Sequence, residues 1–134
     1  MKRLFLIKYV LAGSGKGHER SLRRLARSKE ETIRRRVAEN SLCPKDLLDE
    51  LARDESSDVR IAAGLNRSAD KRIYGELCND PSPDVRFMLA STSYMPNLLL
   101  RILANDENPY VQERANRTIE LKRAARRRLS HECS

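Results

Sequence analysis

Apolar residues recur along this chain in two superimposed rhythms. The short one is helical. Val85, Met88 and Leu89 fall on one face of a turn-and-a-bit of helix, and Leu99, Leu100, Leu103 and Ala104 line a second stripe just downstream. The long one has a step of 26 residues, carried by Leu25, Leu51, Leu77 and Leu103. Ile33, Val59, Val85 and Val111 keep the same step, as do Leu47, Ile73, Leu99 and Ala125. A fixed period in this range is the mark of stacked repeats, each too small to bury its own apolar stripe.

The polar residues between the stripes predict where each helix starts and stops. Ser82 can cap a helix with its hydroxyl, Pro83 suits the first turn, and Asp84 complements the positive helix end. Tyr94-Met95-Pro96 breaks that helix, because proline disfavours a helical residue before it. Pro96 can open the second helix, Asn105-Asp106 ends it, and Asn108-Pro109 restarts the cycle. Asn40 and Asn66, with Thr92 and Thr118 in phase, mark the end of each first helix as turn formers that bond local backbone. The reading is an all-α chain of about five two-helix units, none stable alone.

The ends follow by phase. Ile7 and Leu11 stand one period before Ile33 and Val37, and Leu22 one period before Leu48. Residues 1–24 are therefore expected to be a degenerate N-terminal capping unit, with helices near 3–12 and 18–27, rather than a signal peptide. Residues 25–118 are the repeats. Residues 119–134 read as a basic capping helix and tail, in which Leu121, Ala125 and Leu129 make one stripe over the open end of the stack. An anionic-lipid or nucleic-acid contact is the alternative for that helix. The whole is expected to be one repeat domain, and no apolar run approaches membrane-spanning length.

The pattern L-A-x-D-x-x-x-x-V-R, then N, then P-x-x-L-L, resembles the leucine-rich variant repeat, a relative in style of HEAT repeats. Leu51, Ala52, Asp54, Val59, Arg60 and Asn66 carry it once. Leu77, Asp80, Val85, Arg86, Pro96, Leu99 and Leu100 carry it again, and a weaker copy runs through Leu25, Ala26, Ile33, Arg34, Asn40, Pro44, Leu47 and Leu48. The resemblance implies a right-handed α-solenoid and no enzymatic activity. A nitrogen-fixation-associated member of the family carries an iron–sulfur cysteine cluster, which has no counterpart here.

Charge changes the picture more than composition does. The net is +8, but residues 1–36 carry +9, residues 37–112 carry −5 and residues 113–134 carry +4. Positive ends flank an acidic middle, which points to an acidic partner. Candidate binding residues are Arg20, Arg23, Arg24 and Arg27, spaced to share one helix face, then Arg35, Arg36, Lys71, Arg72, Arg101, Arg123 and Arg127. Arg34, Arg60 and Arg86 recur at one repeat position, as do Asp54, Asp80 and Asp106, with Asp58 and Asp84 nearby. This ladder is expected to tie units together by ion pairing, since charges near buried seams are usually paired.

Chemistry for catalysis is missing from the pattern. Cys43, Cys78 and Cys133 have no metal spacing and read as free thiols of a reducing, cytoplasmic compartment. Cys78 occupies the place of Ala26, Ala52 and Ala104, and Cys43 that of Ala69 and Met95, so both are expected to be core residues. Gly13-Ser14-Gly15-Lys16-Gly17 lacks the earlier glycine and the Ser or Thr after lysine that a phosphate-binding loop requires, and is expected to be a helix stop and connector. His18 and His131 have no Ser or Cys partner at a usable spacing, and the carboxylates are spread one or two per unit. Without Trp, a base-stacking glycosylase pocket is disfavoured. The expectation is a non-enzymatic scaffold without cofactor or metal that binds a protein partner. Nucleic acid is the alternative, an anionic membrane surface or a second copy less favoured.

Overall fold

A computed structural model describes residues 2–13 and 19–132. Residues 14–17 of the glycine-rich stretch, His18, Cys133, and the side chain of His131 lie outside the described residues. Every described element is a helix: α1 (Lys2–Gly13), α2 (Glu19–Leu25), α3 (Glu31–Ala38), α4 (Lys45–Leu51), α5 (Ser57–Leu65), α6 (Lys71–Leu77), α7 (Pro83–Ala90), α8 (Asn97–Leu103) and α9 (Pro109–Glu132). No strand occurs among the described residues. The chain divides into two compact units, residues 1–73 and 74–134, with the boundary inside α6.

In the first unit, α1 packs on α2 and α3, α3 on α2, α4 and α5, and α4 on α5. The stripes read from the sequence are the core: Leu22, Ile33, Val37, Leu48 and Val59 are fully buried. The helices are short, seven to nine residues apart from α1, and end where the sequence provides a stop. Gly13 is the last residue of α1. A Cβ there would collide with the Arg36 guanidinium, which lies over the Tyr9 ring at 5.2 Å. Glycine thus ends the helix and leaves room for a stacked arginine.

Asn40 and Asn66 do more than turn the chain. Each side-chain oxygen accepts the backbone N–H two residues on, from Leu42 and Ser68, both at 2.9 Å. Each amide nitrogen reaches back 28 residues, Asn40 to the Ala12 carbonyl at 2.6 Å and Asn66 to the Ala38 carbonyl at 2.7 Å. Asn66 donates to the Asn40 carbonyl as well. Both asparagines are buried, and no non-glycine residue among the described residues adopts a positive φ. The left-handed tolerance of asparagine is therefore unused; its three-way hydrogen bonding is what the position needs.

In the second unit, α7 packs on α8 and α9, and α8 on α9. Pro83 stands in the first turn of α7 as expected, whereas Pro96 is the N-cap of α8 rather than its first residue. Ser82 is the N-cap of α7, but its hydroxyl accepts no capping bond; Ser56 does cap α5, accepting from Val59. Thr118 donates to the Ala90 carbonyl at 2.6 Å, again 28 residues back.

Two expectations at the ends are corrected. Ile7 and Leu11 are 50% and 42% exposed, although the residues in phase with them are fully buried. Among the described residues α1 packs against α2 and α3 on one side, so its repeat-phase residues have no second neighbour. At the other end, Thr118 does not end a helix. The segment after it has neither the proline that follows Asn40 and Thr92 nor the Ser68 and Asp70 turn residues that follow Asn66, so α9 runs through and spans 24 residues in all, about 36 Å at the usual rise. Leu121 and Leu129 are 62% and 64% exposed, and Ala125 is exposed too. Their stripe covers nothing among the described residues; the buried face of α9 is Val111, Ala115 and Thr118.

Candidate functional site

The ladder residues are structural where their partners lie in the same unit. Arg34 grips Asp54 with Nε at 2.8 Å and Nη2 at 2.9 Å, while Nη1 donates to the Ser28 carbonyl. Arg86 repeats the fork on Asp106 at 2.7 and 3.0 Å and donates to the Asp80 carbonyl. Arg60 donates from the same nitrogen to the Asp54 carbonyl at 2.9 Å. Asp54, Asp80 and Asp106 each accept the backbone N–H two residues on, from Ser56, Ser82 and Asn108. A bidentate, half-dry pair of this kind is strong, and losing one partner leaves a buried charge. The fork raises the affinity of Arg34 and Arg86 for their protons. Burial works against ionisation of Asp54, but Arg34 and the Ser56 N–H outweigh it and hold the carboxyl below the usual range. The Arg86 fork holds Asp106 low against its burial. Asp58 and Asp84, expected to join the ladder, are exposed and form no ion pair among the described residues.

The basic candidates separate into engaged and free groups. Arg23 bonds Glu19 at 2.7 Å and Asp46 at 2.8 Å. Arg35 and Arg36 both pair with Glu39, and Arg72 pairs with Asp49. Such exposed pairs are screened by solvent and add little to stability, but they occupy the cation. Arg20, Arg24, Arg27, Lys71, Arg101, Arg123 and Arg127 pair with no carboxylate among the described residues. The N-terminal quartet does not form one row: α2 stops at Leu25, Arg27 sits in the turn beyond it, and Arg23 is committed to its two acids.

Arg24 and Arg27 border a groove of about 590 Å³ between α1 and the α2–α3 segment. Its apolar floor is Leu4, Ile7, Leu11 and Leu25. Lys8 and Lys29 join the two arginines along the rim, with Glu30 the one acid. The exposed face of α1 that carries the repeat-phase residues Ile7 and Leu11 is thus half of this groove. No family model matches the chain, and no curated protein or solved structure matches it either.

Cys43 and Cys78 are buried free thiols, as expected of core positions, and burial pushes them up to about 12 and about 11. A thiol so protonated is a poor nucleophile and a poor metal ligand. No cluster of three potential metal-ligating side chains occurs among the described residues, and no described helix is long and apolar enough to cross a membrane.

Sequence reasoning missed two arginine–aromatic contacts, one joining α3 to α1 and one joining α9 to α7. Arg36 lies over Tyr9, and Arg114 lies over Phe87 at 5.9 Å while donating to Ser91 at 2.8 Å. Each arginine follows its ring by 27 residues, one more than the repeat step. A search for aromatic–arginine pairs at that spacing would have found both.

Proposed function

We propose that this chain is a non-enzymatic protein-binding scaffold, a right-handed α-solenoid of about five two-helix units in the style of leucine-rich variant and HEAT repeats. Support for the repeat comes from bonds that recur at fixed offsets: 28 residues at Asn40, Asn66 and Thr118, and 20 residues at Arg34 and Arg86. The observation that carries the binding reading is the α1–α2 groove, whose apolar floor lies beneath a rim of unpaired cations. Its occupant is an amphipathic, acidic segment of a partner protein. Leucines at helical spacing would fill the floor between Leu4, Ile7 and Leu25, and glutamates would meet Arg24, Arg27 and Lys29.

The test uses a fluorescent helical peptide with Leu at every third and fourth position and Glu between, against a scrambled control. Binding in the micromolar range, lost in Ile7→Asn and in the double variant R24Q/R27Q, is the expected result. No binding, or binding indifferent to both substitutions, overturns it.

The second reading is nucleic-acid binding through the basic ends, favoured by the unpaired Arg20, Arg101, Arg123 and Arg127. It predicts that labelled RNA or duplex DNA binds with an affinity falling by orders of magnitude between about 50 and about 200 mM salt.

A further inference from the structure

One small hollow in the second unit is lined almost wholly by cations. Arg101 of α8 and Lys122, Arg123 and Arg126 of α9 surround a space of about 160 Å³, with Asn97 and Ile119 completing it. No carboxylate lines it. Arg34, Arg86 and Arg23 differ in this, since each has an acid in hydrogen-bond range. The three arginines here have none among the described residues. Lys122 is fixed by a 2.6 Å bond from Nζ to the Met95 carbonyl, so one cation is pinned at the edge and its remaining N–H groups stay available. Burial, and then the charge of Arg126, lower the affinity of Lys122 for its proton. Four cations line one space that no carboxylate enters, and such a space favours an anion.

We infer that this hollow is a binding site for a phosphate monoester dianion. Planar guanidinium forks match the paired oxygens of a phosphoryl group, and the ammonium adds a point charge to the third. A carboxylate has one charge and two oxygens, too few for four cations and the Asn97 amide. The space suits a single terminal group. A nucleic-acid backbone would need an open row of cations, and Arg127 and Arg128, which follow on the same helix, do not line the hollow. The site lies in the second unit and owes nothing to the α1–α2 groove.

The test is NMR of the arginine Nε–Hε resonances in the full chain, titrated with inorganic phosphate and with glycerol phosphate. Saturable shifts at Arg101, Arg123 and Arg126, absent at Arg24 and Arg27, are expected. The double variant R123Q/R126Q should weaken binding by about tenfold or more while leaving the circular dichroism unchanged; Lys122 is kept because its bond to Met95 serves the fold. Affinity should fall between pH 7.5 and 5.5, because the second phosphate proton binds near pH 6. Cosedimentation with vesicles containing phosphatidic acid, against phosphatidylserine, assigns the monoester to a lipid headgroup if it exceeds the soluble ligands in affinity, and to a soluble molecule if it does not. No saturable shift up to about 20 mM phosphate, or an unchanged response in the double variant, overturns the site. So does an RNA oligomer without terminal phosphate that moves the same resonances more tightly than phosphate does.

Discussion

At the scale of single residues, the buried asparagines join backbone segments 28 residues apart. Asn66 donates to two carbonyls and accepts one N–H, all out of water. Asn66→Ala takes the partner from the Ala38 carbonyl and the Ser68 N–H, while the Asn40 carbonyl keeps the Cys43 N–H, a loss of about 1–3 kcal/mol at the usual cost of buried unsatisfied groups. Asn66→Asp should be worse, since it turns a carboxylate oxygen toward the Ala38 and Asn40 carbonyls. Urea denaturation checks the order; an Asp variant as stable as wild type would contradict it. The ion-paired forks set the acid behaviour. Asp54 and Asp106 have folded-state proton affinities below their unfolded ones, so their contribution is complete above the unfolded value of about 3.9 and disappears as pH falls through the folded value. Stability should be flat from pH 7 to about 5 and decline below about 4, and Asp106→Asn should lower stability at pH 7 while flattening that decline. Equal acid sensitivity in the variant would remove Asp106 from the account. Gly13→Ala should displace Arg36 from Tyr9, and in an Arg36→Ala background the same change should cost little; a double-mutant cycle reads the coupling.

At the scale of elements, the sequence was most legible where turn chemistry is strong. Pro83 and Pro96 bracket α7 and α8 closely, and Asp70 begins α6 by accepting from the backbone of Arg72 and Ile73 at 3.0 and 3.1 Å. It was least legible at the two ends. Phase put Ile7 and Leu11 in register with Ile33 and Val37 in a degenerate capping unit, but burial needs a neighbour on that side, and a one-dimensional pattern does not contain the neighbour. The same reasoning assigned a covering role to Leu121, Ala125 and Leu129, which lie beyond the helices that α9 packs against. Two changes to α9 therefore differ sharply. Leu129→Gln or a chain ending at residue 126 should shift stability by less than about 0.5 kcal/mol, whereas ending the chain before Thr118 should remove the fold of the second unit. Thermal melts decide it; a loss of about 2 kcal/mol for Leu129→Gln would mean that the stripe is covered after all.

At the scale of the whole molecule, charge polarity governs association. The +9 and +4 ends would attract the acidic partner proposed above, while the middle segment, at −5, would repel it. Binding of the acidic peptide should weaken about tenfold or less between 50 and 200 mM salt, because its apolar contacts persist, whereas a purely phosphate-driven complex should fall by several orders. A peptide complex with the steeper slope would show that the groove floor contributes nothing. Of the eleven basic candidates read from the sequence, seven are left available by the fold, because ion pairing depends on which acid the packing brings alongside. Arg23 and Arg24 are neighbours in sequence, yet one is held by Glu19 and Asp46 and the other borders the groove.

The helical class, the 26-residue step, the core stripes and the basic ends were determined by the sequence alone, because period and charge are properties of order along a chain. Tertiary structure decided three further things. It made the asparagines inter-helix clamps, since their amides find carbonyls 28 residues away. Among the described residues it left one face of α1 and the end of α9 uncovered, since burial depends on what stands opposite. And it sorted arginines into paired and unpaired, since a charge is neutralised by distance in space, not by distance in sequence.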